Sequence, residues 1–344
     1  MSKLRSRGEG IRKFILNNVE SYPNTIAKVA AQEFNISRQA INKHLKKLVE
    51  GESLTVKGNT RNRVYRLRPL LEWTNTFEIT PKLAEDVIWR NELEPRLGKM
   101  PDNVIDIWHY GFTEMFNNAI DHSDGKVILV HLSMSATNTQ VALYDDGIGI
   151  FKKIQMELDL LDERHSVLEL SKGKLTTDPD RHTGEGIFFT SRMFDDFDIL
   201  SGSTYFSHRF GEKEDWILER DKFSSGTTVW MKLNNHTART SKKIFDNFTS
   251  GDDYGFNKTV VPVKVAQYGD DKLVSRSQAK RLLVRFDRFK TVILDFEGVD
   301  SIGQAFADEV FRVFTKMHPE IELSFVHANS DVERMIQRAK TNVI

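Results

Sequence analysis

The chain has 344 residues, 39% hydrophobic and 28% charged, enough for two or three domains each with its own core. It has no cysteine, which excludes a disulfide framework and a thiolate metal site and fits a reducing compartment. The 49 basic and 49 acidic side chains cancel, yet residues 1–69 hold 15 Lys and Arg against 5 Glu, leaving an acidic remainder. A basic head on an acidic body points to duplex DNA as a partner of the head. No apolar run approaches membrane-spanning length, and no apolar core follows the basic start MSKLRSRGEGIRKF. The expected location is cytoplasmic, with no membrane partner.

The head predicts three helices in order. Residues 8–19 carry the stripe Ile11, Phe14, Ile15 and Val19, and residues 24–34 turn Ile26, Val29 and Ala30 inward. Ser37 stands at an N-cap position before RQAINKHLKKLVEG, whose Ile41, Leu45 and Leu48 form a buried face, and Gly51 marks its end. LTVKGNTRNRVYRLRP then reads as two extended runs around a Gly58-Asn59 turn, stopped by Pro69. Helix, helix, turn, helix, hairpin resembles the winged helix-turn-helix family along residues 1–69. The resemblance implies that Arg38, Gln39, Asn42 and Lys43 read base edges and that Lys57, Arg61 and Arg63 meet phosphates. A winged helix that docks protein instead is the alternative, and symmetric operators make a homodimer plausible.

Residues 75–235 open on an amphipathic helix from Pro101 that runs through FTEMFNNAIDHS. At ~100° per residue, Glu114, Asn118 and Asp121 share one line, opposite the stripe of Ile105, Trp108, Phe112, Met115, Phe116 and Ala119. His109 reads as a helix residue near the core. Two strand-like runs follow, 126–133 and 139–150, the second ending in Asp145-Asp146-Gly147-Ile148-Gly149. A carboxylate before closely spaced glycines suits a purine amino group beside a tight turn. After a polar stretch, Gly184 and Gly186 open a helix, an arrangement that cradles phosphates on free N–H groups. SSGTTVWMKL pairs a Gly-Thr-Thr turn with a closing strand.

The order of these pieces resembles the GHKL ATPase superfamily, and FTEMFNNAIDHS is most similar to the anti-sigma-factor type of histidine-kinase-like ATPase. The resemblance implies ATP and Mg²⁺ as cofactors. Asn118 would hold Mg²⁺, Glu114 would orient or deprotonate the attacking group, and Asp121 would support the nucleotide side. Asp145 would accept from the adenine amino group, with Gly147 and Gly149 allowing close approach. Gly184 and Gly186 would end the phosphate lid, which spans 150–182, and Thr227 or Thr228 would reach the adenine region. Two departures stand out: Glu185 sits between the lid glycines with no third glycine, and no phosphoacceptor histidine motif precedes the domain.

Residues 236–256 read as a polar linker. Over 257–344 strand and helix alternate: NKTVVPVKVAQYG, SRSQAKRLLVRFDRF, TVILDFEGV, GQAFADEVFRVFTKM with Phe306, Val310, Phe311 and Phe314 inward, IELSFVHA and SDVERMIQRA. This resembles STAS-type domains of anti-sigma-factor antagonists, and more loosely an uncharacterised STAS-like family; both imply a protein partner. Ser301, after Asp300 at a strand end, matches the antagonists' phosphoacceptor and also a helix N-cap, and Ile302 replaces their second serine. The expected fold class is multidomain α+β: a winged helix, a GHKL sandwich of a mixed sheet with helices on one face, and a small STAS-like α/β domain. Three functions stay open: an ATP-gated, DNA-binding regulator, an anti-sigma-type serine kinase acting on Ser301 or on a partner, and a nucleotide-controlled interaction scaffold.

Overall fold

The computed structural model describes residues 2–59, 62–175, 184–212, 215–249, 256–267 and 272–341, with the side chains from residue 7 onward. The chain divides into two compact units, one of residues 1–75, 131–141 and 233–237, the other of 76–130, 142–232 and 238–344.

In the first unit, α1 (Ser2–Asn18), α2 (Ile26–Glu33) and α3 (Arg38–Glu50) precede a hairpin of β1 (Leu54–Lys57) and β2 (Val64–Leu67). The hairpin is antiparallel, with Leu54 opposite Leu67 and Lys57 opposite Val64. Ile11, Ile15, Val19, Ile26, Ala30, Ile41, Leu45 and Leu48 close one core with Leu54, Tyr65 and Leu67. The helical stripes and the alternate hairpin positions thus share a single interior. Ser37 is extended and its hydroxyl accepts the Ala40 N–H at 3.2 Å, which satisfies one of the orphan donors of α3. Gly51 occupies the C-cap with φ −85°, and Glu52 takes the left-handed position after it.

Residues 71–234 contribute a five-stranded sheet of order β3-β4-β5-β7-β6. After β3 (Leu71–Glu78) come α4 (Glu85–Ile88), a π turn (Trp89–Leu93), α5 (Glu94–Leu97) and α6 (Asp102–His122). Then follow β4 (Val127–Met134), β5 (Asn138–Asp145), α7 (Ile150–Glu157), α8 (Glu163–Lys172), α9 (Gly186–Met193), β6 (Asp196–Arg209) and β7 (Trp216–Asn234). Helix α6 buries Val104, Ile107, Trp108, Phe112, Met115, Phe116 and Ala119. Ile105, expected in this stripe, is only half-buried, and His109 is exposed with its ring 5.0 Å from that of Trp89. Gly111 lets α6 meet the segment after α9, because a Cβ there would lie 2.3 Å from the Phe194 ring. Residues 150–182 were expected as a lid; the part described holds α7 and α8, and in α8 every residue from His165 to Lys172 is buried.

Residues 236–256 are not all linker. They contain α10 (Ser241–Asp246), capped by the Thr240 hydroxyl on Lys243 N at 3.3 Å. Its Phe245 stacks on Phe189 at 4.6 Å and on Tyr110 at 5.4 Å, and Phe248 reaches Phe188 at 4.9 Å. The remaining strands, β8 (Lys258–Pro262), β9 (Thr291–Asp295) and β10 (Glu322–Val326), form a parallel sheet of order β10-β9-β8. Between and after them run α11 (Arg276–Leu283), α12 (Gln304–Asp308) continuing through a π turn (Glu309–Phe314) into α13 (Thr315–Met317), and α14 (Ser330–Thr341). Strand β8 is shorter than its sequence promised, because the chain turns into a 3-10 turn at Val263–Ala266 directly after Pro262. Among the described residues no helix is long and apolar enough to cross a membrane.

Phe189 is 2% exposed and packs on Phe188, Phe245 and Phe256 at 5.2, 4.6 and 4.9 Å. Phe189→Ala is expected to destabilise the second unit by about 3–5 kcal/mol, read as a lower urea midpoint of the full chain.

Candidate functional site

A cavity of about 260 Å³ opens between α6, the end of β5, α7, the α8–α9 region and β7. Its wall includes Glu114 and Asn118 from α6, Asp145 from β5, Gly184 and Gly186 before and at the start of α9, and Thr227 from β7. Residues more than 110 positions apart in sequence therefore face one space.

Strand β5 buries alternate residues, Thr139, Val141, Leu143 and Asp145, so the aspartate occupies the next inward position of an apolar face. It is 6% exposed, and its Oδ1 accepts the Gly147 N–H at 3.0 Å and the Thr227 N–H at 3.2 Å. Burial pushes its carboxyl above the usual carboxylate range, against the pull of these hydrogen bonds. Asp146 points outward, and its Oδ1 accepts from Lys126 N at 2.7 Å and Val127 N at 3.0 Å, which hold its carboxyl below that range. Adjacent aspartates thus divide the work: one borders the cavity and the other anchors the start of β4.

The two glycines that follow do not line the cavity but let its walls close. At Gly147 a Cβ would lie 2.0 Å from the Ser123 carbonyl at the end of α6, which also accepts the Ile148 N–H at 3.0 Å. Gly149, at φ +93°, approaches Ser201 Oγ and the Gly226 carbonyl. Thr227 Oγ1 accepts the first amide of α7, Ile150 N, at 3.0 Å. Of the Thr227-Thr228 pair, only Thr227 faces the cavity; Thr228 lies opposite Leu200 in the β6–β7 ladder.

At the other end, Gly184 (φ +71°) accepts the Leu175 N–H on its carbonyl at 2.9 Å. Gly186 begins α9, and a Cβ there would stand 2.0 Å from Glu114 Oε2. The Glu114 carboxylate therefore packs against the first turn of α9, where backbone N–H groups lack helical partners and negative charge is favoured. Burial raises the Glu185 carboxyl, with the Lys174 ammonium pulling the other way. Burial, followed by the charges of Glu114 and Glu185, pushes the Tyr110 hydroxyl far upward.

Asp121, expected beside Glu114 and Asn118, is exposed and does not line the cavity. Asn117 and His122 line it from the same helix, and Lys153 does so from α7, paired with Asp124 at 2.9 Å. These were missed because at 100° per residue positions 117 and 122 flank the expected line, while Lys153 belongs to a segment read as a lid. Among the described residues no group of three or more His, Asp or Glu side chains is arranged to hold a metal.

In the first unit Arg38, Gln39, Asn42, Lys43, Lys57 and Arg63 are all exposed, as is Arg66, and Arg61 lies outside the described residues. Ser301 is half-buried in the β9–α12 connection. It is not the N-cap of α12: Gly303 holds that position, and Ile302 between them is buried and bridges to Leu273.

Thr227→Val removes the acceptor of Ile150 N and a partner of Asp145. It is expected to destabilise the chain by about 1–3 kcal/mol and to speed amide exchange at Ile150, whereas Thr227→Ser retains both.

A family model for a STAS-like domain of unknown function (DUF4325) matches residues 278–333, from α11 into α14. No curated protein matches the chain. The C-terminal part of this multidomain mixed α/β chain is therefore a STAS-like domain.

Proposed function

We propose that the cavity binds Mg-ATP in a GHKL-type ATPase domain, and that nucleotide binding or turnover there controls a winged-helix, DNA-binding head. The carrying observation is the convergence of Glu114, Asn118, Asp145, Gly184, Gly186 and Thr227 on one cavity. The residues fit the ligand. A buried carboxylate whose Oδ1 is fixed by two backbone amides keeps acceptor capacity for an exocyclic amino group. Leu143, Ile150, Ile154 and Val229 supply apolar walls for a flat ring. The start of α9 supplies N–H groups for an anion. ATP with Mg²⁺ would bring phosphate charge to that end. There Asn118 would hold the ion, and Glu114 would orient or deprotonate the attacking group.

For the head, the reading rests on its +10 charge and on the exposed basic face of α3 and the hairpin. Full-length protein is expected to bind duplex DNA with an affinity that falls steeply with salt, and Lys57→Ala to reduce the slope of log K against log salt by about 1. A head that docks only protein would show no such binding. The STAS-like domain supplies a surface for a protein partner. A serine-kinase activity is the second reading, and one observation favours it: Gly303, not Ser301, occupies the N-cap position of α12.

Asp145→Asn separates binding from folding. The asparagine Oδ1 still accepts from Gly147 and Thr227, and a buried charge is removed. A carboxyl whose folded pKa is raised loses stability as pH rises from its unfolded toward its folded value. The variant is therefore expected to be at least as stable as wild type at pH 7, with the difference vanishing in acid. Its ATP affinity is expected to fall at least about tenfold by calorimetric titration, equivalent to about 1.4 kcal/mol. Unchanged affinity would refute the assignment of Asp145. Intact mass and peptide mapping of the wild type after incubation with Mg-ATP test the kinase acting on its own chain: one added phosphate, mapping to Ser301, selects it.

A further inference from the structure

The C-terminal end of α8 and the residues after it face two ways. Leu170 and Leu175 wall the cavity. The side chains and carbonyls between them hold the STAS-like domain. Lys172 Nζ, fully buried, donates to Glu169 Oε1 at 2.5 Å, to the Val284 carbonyl at 3.0 Å and to the Arg281 carbonyl at 3.4 Å. Arg285 pairs with the other Glu169 oxygen at 3.3 Å and donates to the Lys174 carbonyl. Lys174 Nζ donates to the Arg288 carbonyl at 2.9 Å, and Thr259 Oγ1 donates to the Lys172 carbonyl at 2.7 Å. Gly173, at φ +80°, makes the turn, because a Cβ there would strike the Phe256 ring at 2.6 Å.

Such a cluster is sensitive to position. Glu169 and Lys172 are both wholly buried, and moving either away from its partners strands a charge in a dry interior. Burial works against the Glu169 charge, but the Lys172 ammonium at 2.5 Å and the nearby Arg285 guanidinium outweigh it and hold the carboxyl low. The arrangement is therefore held together as a set, and a shift of Leu170 or Leu175 by cavity contents reaches it through one turn of backbone.

We propose that residues 169–175 are a coupling segment, through which filling the cavity changes how α11 and the turn at 284–288 of the STAS-like domain are held. The inference rests on the nucleotide reading and names the domain that reading did not connect. Coupling is reciprocal, so loosening the clasp alters nucleotide affinity by the factor with which nucleotide alters the clasp.

The test is hydrogen exchange on the full-length chain with and without saturating Mg-ATP. The expected result is altered uptake at 114–122 and 145–150, together with a change at 276–288 at least twofold larger in rate than that at 322–341 of the same domain. Lys172→Met is expected to bind Mg-ATP with an affinity changed at least threefold and to lose the response at 276–288. Lys174→Ala, which spares the buried pair, is read in the same way should the methionine variant fail to fold. Altered uptake at the cavity with 276–288 unchanged, or changed only as much as 322–341, overturns the coupling and leaves the nucleotide reading intact. No binding and no change at 114–122 and 145–150 overturns both.

Discussion

The burial of Asp145 at the end of β5 is the constraint around which the cavity is organised. A carboxylate on the inward face of a strand is unfavourable unless donors meet it, and here the donors come from two other segments, Gly147 after the strand and Thr227 in β7. Bringing them close enough requires Gly226 at φ +68°, where a Cβ would lie 1.8 Å from the Asp145 carbonyl. It also requires Gly147 against the Ser123 carbonyl. The hydroxyl of Thr227 then receives the first amide of α7. One polar group thus sets the register of β7 against β5, the end of α6 and the start of α7.

Much of this was legible in the sequence where a local rule applied. The stripe of α3, the Ser37 cap and the inward phenylalanines of 304–317 follow from helical spacing and side-chain chemistry. The glycines announced themselves because positive φ and close approach leave few other choices. What was illegible depended on partners distant in sequence. Asp121 shares a helical line with Glu114 and Asn118, but the cavity wall curves toward Asn117 and His122. Thr227 and Thr228 are indistinguishable in sequence, and only pairing with β6 decides which faces inward. ERHSVLELSK falls in the polar stretch read as a lid, yet it forms α8 and is buried, because its partners are carbonyls and an arginine about 110 residues later.

Stability alone does not account for charges in that position. Replacing a buried ion pair by well-packed apolar side chains is often neutral or stabilising. Leucines in place of Glu169, Lys172 and Arg285 would make a contact tolerant of small slips. Ammonium and guanidinium groups aimed at particular carbonyls make one that is either in register or unfavourable. A contact of that kind suits a domain whose attachment has two states.

The opposite end of the cavity poses a complementary electrostatic problem. Gly186 admits the Glu114 carboxylate to the first turn of α9, the place where an anionic ligand would also be favoured. Two negative groups at one helix end repel, and Lys153, a cation lining the cavity, is paired with Asp124 beyond the C-terminal end of α6. On the nucleotide reading, Asn118, one helical turn from Glu114, would hold a divalent cation whose charge lowers that repulsion. In that reading the ion would serve charge balance at Glu114, apart from any role in bond cleavage.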